Sequence, residues 1–412
     1  MPIRISRVLA CGLVAAASCF VVACGPAVPV RQEPAGAEVA LSAEQALAGA
    51  DSALARGDFV GAAKLYREAA QASDDEAVAE QATRAAFDHG QLQEASRAAE
   101  RWLQINPTSE NARRFAGITA LKLHRLDLAQ AHFTQLLDTV YVSPAAGYLA
   151  LAPVVNGEAV PADVMELFRR LSAGHPDIAE GYYAYGSAAL RADNFAAALA
   201  AAQAAVAKAP YWRPAKMLLA RTQIATGDEE AGLALAKELV TDPQSDVAMH
   251  LEYAMLLAAT GRDEEARAML TPYTSGQTVI PGAVRTLGIM ELDAGDLDAA
   301  TAQFETLLAT GAQSYDALFY MGNIAERRKD PDRAVRYYDR VASGDYGLAA
   351  QQRVARIKAD KGGVQAGLAY LDGLQRAQPQ LASDLYAAKA ALLAGAGDDK
   401  RALQMYDEGI AS

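Results

Sequence analysis

The sequence predicts an all-α fold, a solenoid of about eleven stacked helical hairpins. Three observations predict it. Small residues recur along nearly the whole chain at intervals of 33 to 35 residues. Apolar residues make up 52% of the chain but aromatics only 7%, so the core material is mostly Ala and Leu, which favour helices. Gly-Asp pairs and prolines punctuate the intervals at fixed places. The same composition excludes several classes. Three cysteines in 412 residues cannot staple a disulfide miniprotein, and a net charge of −12 does not suit a basic nucleic-acid binder, so no nucleic-acid partner is expected. The apolar fraction is too high for a disordered chain.

The chain begins with an address. Residues 1–7 carry Arg4 and Arg7 and no acid, and residues 8–23 are apolar or small throughout. This is the form of a secretory signal, and the 16-residue run is short of the ~20 needed to span a bilayer. It closes on Val21-Val22-Ala23-Cys24-Gly25. That ending resembles a bacterial lipobox, which implies cleavage before Cys24 and acylation of Cys24, with palmitate among the chains. Residues 1–23 are then the signal peptide. Their loss removes Cys11, Cys19 and two arginines, leaving one acylated cysteine and 36 basic against 50 acidic residues, a formal charge of −14. Two or more acyl chains anchor stably where one is marginal. Gly25 in place of Asp implies, by the same resemblance, an outer-membrane location facing the periplasm. Residues 24–42 hold three prolines and little periodicity, and read as the lipidated cysteine and a flexible tether. Such a coil reaches roughly 20–25 Å.

Residues 43–412 are one repeat. Gly288 and Gly322 are 34 apart, as are Ala300 and Ala334, Phe304 and Tyr338, and Leu307 and Val341. This is the tetratricopeptide pattern: a small residue at position 8, Ala at 20, an aromatic at 24 and often Pro at 32. Position 8 falls at Ala50, Thr83, Gly117, Ala152, Gly186, Ala220, Ala254, Gly288, Gly322, Ala355 and Ala390. Position 20 falls at Ala62, Ala95, Ala129, Val164, Ala198, Ala231, Ala266, Ala300, Ala334, Gly367 and Ala402. Position 24 carries Tyr66, Phe133, Phe168, Phe304, Tyr338 and Tyr406. Pro107, Pro176, Pro210, Pro243 and Pro379 mark turns between repeats. The units lie near 43–75, 76–109, 110–144, 145–178, 179–212, 213–246, 247–280, 281–314, 315–347, 348–382 and 383–412.

Each unit is a pair of antiparallel helices that cannot bury its apolar stripe alone, and the pairs stack into a right-handed superhelix with a concave face. Small residues at 8 and 20 let the helices approach, and the aromatic at 24 fills the gap. Gly57, Gly90, Gly227, Gly261, Gly295 and Gly397 end first helices where a left-handed residue is favoured. The following Asp58, Asp228, Asp296 and Asp398 read as caps of the second helices.

Two places break the pattern. The fourth unit has Pro153 inside its first helix and VVNGEAVP before its second, which predicts a short or broken helix. A partner-specific kink and a tolerated degenerate repeat both fit. The last unit stops at Ser412, near position 30, without a polar capping helix. A truncated array or capping by oligomerisation would account for that, and the oligomeric state stays open. The final helix, 400–410, should then leave Leu403, Tyr406 and Ile410 partly exposed.

Chemistry is sparse. His89, His124, His132, His175 and His250 fall in different repeats or turns, without zinc-ligand spacing, and read as solvated or capping residues. There is no H-E-x-x-H, G-x-S-x-G or Walker motif. The chain therefore reads as a non-enzyme, with no catalytic residue, metal or cofactor expected. Binding is the expectation for a concave helical surface, through positions 2, 5, 9, 12 and 13. Unit 9 places Asp316, Phe319, Asn323, Glu326 and Arg327 there, and unit 5 Glu180, Tyr183, Ser187, Leu190 and Arg191. Unit 3 contributes Asn111, Arg114, Ile118 and Lys122, and unit 6 Met217, Arg221 and Ile224. Aromatic, Arg and Met side chains suit protein anchoring. The chaperone-tail carboxylate clamp needs Lys or Arg at 5 with Asn at 9. Unit 9 has Phe319 with Asn323 and unit 3 has Arg114 with Ile118, so that mode is not expected.

The chain resembles the tetratricopeptide lipoproteins of Gram-negative envelopes, above all the long-array adaptors of periplasmic C-terminal processing proteases. Residues 314–357 carry that likeness, matching a recurrent stretch of the group at Tyr320, Gly322, Ile324-Ala325-Glu326, Ala334, Tyr338, Val341, Gly344, Tyr346, Ala350, Arg353 and Ala355. The resemblance implies an adaptor holding a serine protease, and its cell-wall hydrolase substrates, near the outer membrane. Members usually run on for several more repeats. The other reading is a structural assembly factor for outer-membrane, pilus-secretin or exopolysaccharide-export machinery.

Overall fold

The structure is a computed structural model that describes residues 41–276, 279–341, 344, 346–378 and 381–411. Cys24, residues 1–40 of the signal and tether, and Pro379 lie outside the described residues. Among the described residues there are twenty-two α-helices and no strand. They pair as α1 (Ala43–Ala55) with α2 (Phe59–Gln71), α3 (Glu76–Asp88) with α4 (Leu92–Ile105), α5 (Glu110–Lys122) with α6 (Leu126–Gln135), and α7 (Pro144–Glu158) with α8 (Pro161–Gly174). Next come α9 (Ala179–Arg191) with α10 (Phe195–Lys208), α11 (Arg213–Ala225) with α12 (Glu229–Thr241), and α13 (Val247–Ala259) with α14 (Asp263–Leu270). The last are α15 (Pro281–Ala294) with α16 (Leu297–Ala309), α17 (Ser314–Arg327) with α18 (Pro331–Tyr338), α19 (Gly347–Gly362) with α20 (Val364–Ala377), and α21 (Ala382–Gly395) with α22 (Asp399–Ala411). Most helices pack chiefly on the helices before and after them, the arrangement of a tetratricopeptide-type solenoid; in unit 4, α7 instead lies chiefly against α9, and α8 against α9 and α6.

The caps explain where helices begin and end. Ser42 and Gln45 form a reciprocal capping box that starts α1. The carboxylates of Asp58, Asp228, Asp296 and Asp398 each accept from a backbone N–H three residues on, as predicted. The six glycines predicted to end first helices have φ between 72° and 95°. Units 3, 5 and 9 put His124, Asp193 and Lys329 in that left-handed place, at φ 54° to 61°.

The close approaches are those the period implies. All eleven position-8 residues are buried. Phe304, at position 24, packs over the bare Cα of Gly288, where a β-carbon would lie 2.9 Å from the ring. The same ring stacks on Tyr320 of the next unit, with centroids 5.0 Å apart. Tyr66, Phe133, Phe168 and Tyr338 are likewise buried, but Tyr406 is 47% exposed, as no described helix packs over it. One position-20 assignment needs correction. In unit 6 the buried small residue is Gly232, where a β-carbon would lie 2.6 Å from the Ala220 carbonyl, whereas Ala231 is half-buried in the first turn.

Unit 4 differs from its prediction. α7 runs unbroken through Pro153 and the VVNGE segment to Glu158. The carbonyl that Pro153 leaves without a donor belongs to Leu149, an exposed residue, so water can replace the missing bond. The irregularity lies earlier, in a π-helical turn, Leu136–Val140, closed by Tyr141 N–H donating to the Leu136 carbonyl at 3.1 Å. Beneath it sits a Leu-rich core that includes Leu137, Tyr148, Leu151, Leu167, Phe168 and Leu171. Dense packing there offsets the irregular backbone. Among the described residues no helix is long and apolar enough to cross a membrane.

Candidate functional site

The first helices of the hairpins, α1, α3 and onward to α21, carry positions 2, 5, 9, 12 and 13 along one face of the array. Two regions of this face bring polar and apolar groups together.

The middle region spans units 5 to 7. Tyr183 on α9 packs at a tilt against Trp212, with centroids 5.0 Å apart. Arg221 on α11 donates to the Glu252 carboxylate on α13 at 3.2 Å. Burial pushes both the Tyr183 hydroxyl and the Glu252 carboxyl up, while the Arg221 charge pulls each back down. The group is a partly exposed ion pair beside an aromatic wall.

The C-terminal region spans units 9 to 11 and holds an open trough of about 600 Å³. Phe319 on α17 forms one end. Ala349, Gln352, Arg353 and Arg356 on α19 line one side, and Ala387, Ala388, Ala391, Leu392 and Gly395 on α21 line the other. Its volume falls within the ~300–1,000 Å³ usual for binding clefts. An aromatic lattice fixes the Phe319 end. Phe319 stacks on Tyr346 with centroids 4.4 Å apart. The Tyr346 hydroxyl lies 2.8 Å from that of Tyr320 and accepts from Arg285 at 3.0 Å. Arg285 in turn donates to Asp316 at 2.7 Å. Burial pushes the Tyr320 hydroxyl well up, so it stays protonated and able to donate. At the rim, the Tyr338 hydroxyl donates to Glu326 at 2.5 Å, and Arg353 approaches the other Glu326 oxygen only to 3.8 Å.

The predicted groove residues divide on this framework. Arg114 is half-buried and donates to Asn111 at 2.7 Å. Lys122 crosses to unit 4, donating to the Glu158 carbonyl at 2.9 Å. Arg191 is exposed, and Asn323 is half-buried with no hydrogen bond to another described side chain. Arg327 donates to the Leu292 carbonyl of the preceding unit. Asp316, Phe319 and Glu326 meet around the trough and its lattice, and Tyr183 and Arg221 meet in the middle region. Two assignments are corrected. Met217 is 2% exposed and sits in the core with Leu233 and Tyr253, and Ile118 is equally interior, so neither reaches the groove. Phe319 is 8% exposed, because Tyr346 covers its face, and offers only an edge to the trough.

Reading units 3, 5, 6 and 9 missed Arg285, Glu252, Gln352, Arg353, Arg356 and Tyr346. The signal for several was present. Arg285 and Gln352 stand at position 5 and Arg356 at position 9 of units 8 and 10. Glu252 and Arg353 stand at position 6, one step from the positions considered. Tyr346 comes from a turn between repeats, where no register applies.

The histidines have structural partners. His175 caps α8 and lies 2.9 Å from the Tyr148 hydroxyl and 2.8 Å from Asp138, tying the π-helical turn to unit 4. His124 pairs with Asp163 at 2.6 Å, and His89 stacks on Phe59 with centroids 4.3 Å apart. His132 is no solvated residue, since burial and then the Arg113 charge hold its pKa down. Among the described residues no group of three or more His, Cys, Asp or Glu could hold a metal ion.

The tetratricopeptide-repeat family model matches residues 166–211 and 285–350, the second stretch including Arg285 and the Phe319 end of the trough. No curated protein matches the chain. Among solved structures it is similar to yeast Tom70, at 11% identity over 89% of this chain and 91% of that one, TM-score 0.43. A tetratricopeptide repeat protein from Parabacteroides merdae ATCC 43184 is similar at 13% identity, over 71% of this chain and 98% of that one, TM-score 0.39. Human IFIT1 solved as a dimer with PPP-AAAA is similar at 13% identity, over 82% and 90%, TM-score 0.44. Likenesses this distant carry nothing about function. The tetratricopeptide-type array itself supports a protein-interaction scaffold, because its stacked hairpins leave an extended surface free to bind.

Proposed function

We propose that the chain is a membrane-anchored scaffold of the bacterial periplasm, held by acylated Cys24 at the outer membrane. Its groove binds a C-terminal processing protease, localises or activates it, and gathers the protease's substrates beside it. The observation that carries the scaffold reading is the groove itself, with an aromatic-walled ion pair in its middle and an arginine-edged trough towards its C-terminal end. The lipobox and the 314–357 stretch support the anchor and the protease partner. Anchoring two proteins on one array raises their effective concentration without new chemistry.

Two experiments test this. Metabolic labelling with palmitate should mark the wild-type protein and not Cys24→Ala. Pull-down of the chain from envelope extract should recover a serine protease of that class, and Arg221→Ala/Tyr183→Ala should reduce the yield. Recovery of export or pilus-assembly proteins instead would turn the reading to a structural assembly factor.

A further inference from the structure

From the trough between α17, α19 and α21, we infer that the C-terminal part of the groove recognises an extended acidic segment of a protein partner, with a side-chain carboxylate beside an aliphatic residue. This inference rests on the scaffold reading above and names the chemistry of one of its sites.

The charge pattern carries it. The chain is acidic, at −12, yet this trough is edged by two arginines and lined by no acid. Most arginines on the array have a close acceptor, such as Arg285 with Asp316 at 2.7 Å and Arg267 with Glu291 at 3.1 Å. The trough pair does not. Arg353 stands 3.8 Å from Glu326, beyond hydrogen-bond reach, and Tyr338 already occupies the other oxygen of that carboxylate. Arg356 is exposed and makes no ion pair among the described residues. The nearest acids along these helices, Asp360 and Asp384, are exposed and pair with neither arginine. Lys389 on α21 adds nothing to the trough, because it is buried against Asp372 at 2.5 Å. The Arg356 fork thus faces solvent with no ion pair among the described residues, and Arg353 is held only by a long ion pair that leaves its hydrogen-bonding fork unfilled. A fork is shaped to take a carboxylate through two parallel bonds.

The opposite wall fixes the rest of the ligand. Ala387, Ala388, Ala391 and Gly395 leave a smooth, narrow surface that an aliphatic side chain can cover, and the Gln352 amide can pair with an extended backbone. The arginines also exclude one alternative. Capture of a chain terminus needs donors converging on one point from several helices. Arg353 and Arg356 leave the same helix, three residues apart, and the facing helix offers the trough no donor side chain. That is a line of charge along α19, suited to carboxylates spaced along a strand-like segment. Long-range repulsion from the acidic body does not prevent this, since at physiological salt charges beyond about 8 Å are screened.

The test uses the full chain and a dye-labelled peptide, acetylated and amidated, of sequence Gly-Ser-Val-Glu-Leu-Glu-Val-Ser-Gly, followed by fluorescence anisotropy. Wild type should bind it, and the double variant Arg353→Gln/Arg356→Gln should weaken binding about tenfold or more. The same peptide with Gln for Glu should lose as much. Ala391→Leu, which narrows the trough and leaves both charges, should also weaken binding, and circular dichroism should show every variant folded. No binding by wild type, or equal binding by the double variant, overturns the inference. So does a free-acid peptide that binds about tenfold tighter than the amide, which would assign the arginines to a chain terminus. Loss on Arg221→Ala/Tyr183→Ala with the trough variant silent refutes the inference and leaves the groove reading intact. Peptide binding without recovery of a protease removes the protease and leaves the inference standing.

Discussion

Replacing Gly288 with Ala puts the solenoid's close helix approach to a quantitative test. In the middle of a helix, Gly→Ala ordinarily stabilises by about 1 kcal/mol, by removing backbone freedom from the unfolded chain. Gly373 in α20 is such a site, since a β-carbon there meets nothing within 4 Å. At Gly288 the same atom would lie 2.9 Å from Phe304 Cζ and 3.1 Å from Phe304 Cε1 and Gln303 Cβ. Comfortable carbon contacts need about 3.5–4.0 Å, so the ring must retreat by roughly 0.6 Å or more. It cannot retreat freely, because Phe304 is fully buried and stacked on Tyr320 at 5.0 Å. Overpacking of this kind costs about 1–3 kcal/mol. Gly373→Ala should therefore stabilise by about 1 kcal/mol, and Gly288→Ala should fall about 1–3 kcal/mol below it. A long array need not unfold in two states, so the readout is hydrogen exchange in peptides from α15–α16 and from α20, analysed by mass spectrometry. Faster exchange in α15–α16 should revert when Phe304→Leu is added. If Gly288→Ala slows exchange as much as Gly373→Ala does in its own helix, the reasoning is refuted.

Pro153→Ala restores a donor in the middle of α7 and should raise stability, by up to about 3 kcal/mol, seen as a higher melting temperature. No gain would mean that the backbone around Leu149 already compensates. Tyr66→Phe removes the hydroxyl that donates to Asp51 at 2.5 Å, at a cost of about 1 kcal/mol read by exchange in α1–α2. Burial, followed by Asp51, pushes that hydroxyl up to about 12, so the loss should be the same at pH 6 and pH 9. His132 is held below its usual value of 6.5 by burial and then by Arg113. The unfolded chain therefore takes up the proton first as pH falls, so stability is full above about 6.5 and drops below it. His132→Gln should flatten the part of the urea-midpoint decline between pH 7.5 and 5.5 that this group causes. An unchanged decline would refute the assignment.

The repeat was legible because its causes are local. A left-handed residue after each first helix, a carboxylate cap on the next and a small residue at each crossing are all chosen by one or two neighbours in sequence. The π-helical turn was not legible, since the 35-residue gap from Gly117 to Ala152 recurs from Ala355 to Ala390, where the described helices have no such turn. What could not be read depends on a second helix. Position 5 points Met217, Phe319 and Arg114 alike at the groove. Only the structure shows Leu233 and Tyr253 enclosing the first and Tyr346 roofing the second. Ala231 and Gly232 are both small, and only the contact with Ala220 distinguishes them. The loosely held arginines of the trough were invisible for a related reason, because how well a charge is paired is a statement about every neighbour.

About half of the buried apolar residues of the array are alanine. A methyl group withdraws little apolar area from water compared with a leucine or a phenylalanine, so much of this core coheres through close contact rather than through hydration. The heat capacity of unfolding follows the apolar area exposed, at about 12–15 cal/mol/K per residue in ordinary domains. An alanine-built solenoid should fall below that range, and its stability should change little between cold and warm. The exception is the leucine-rich fourth unit, which should behave thermally like a small conventional domain set within a flatter array.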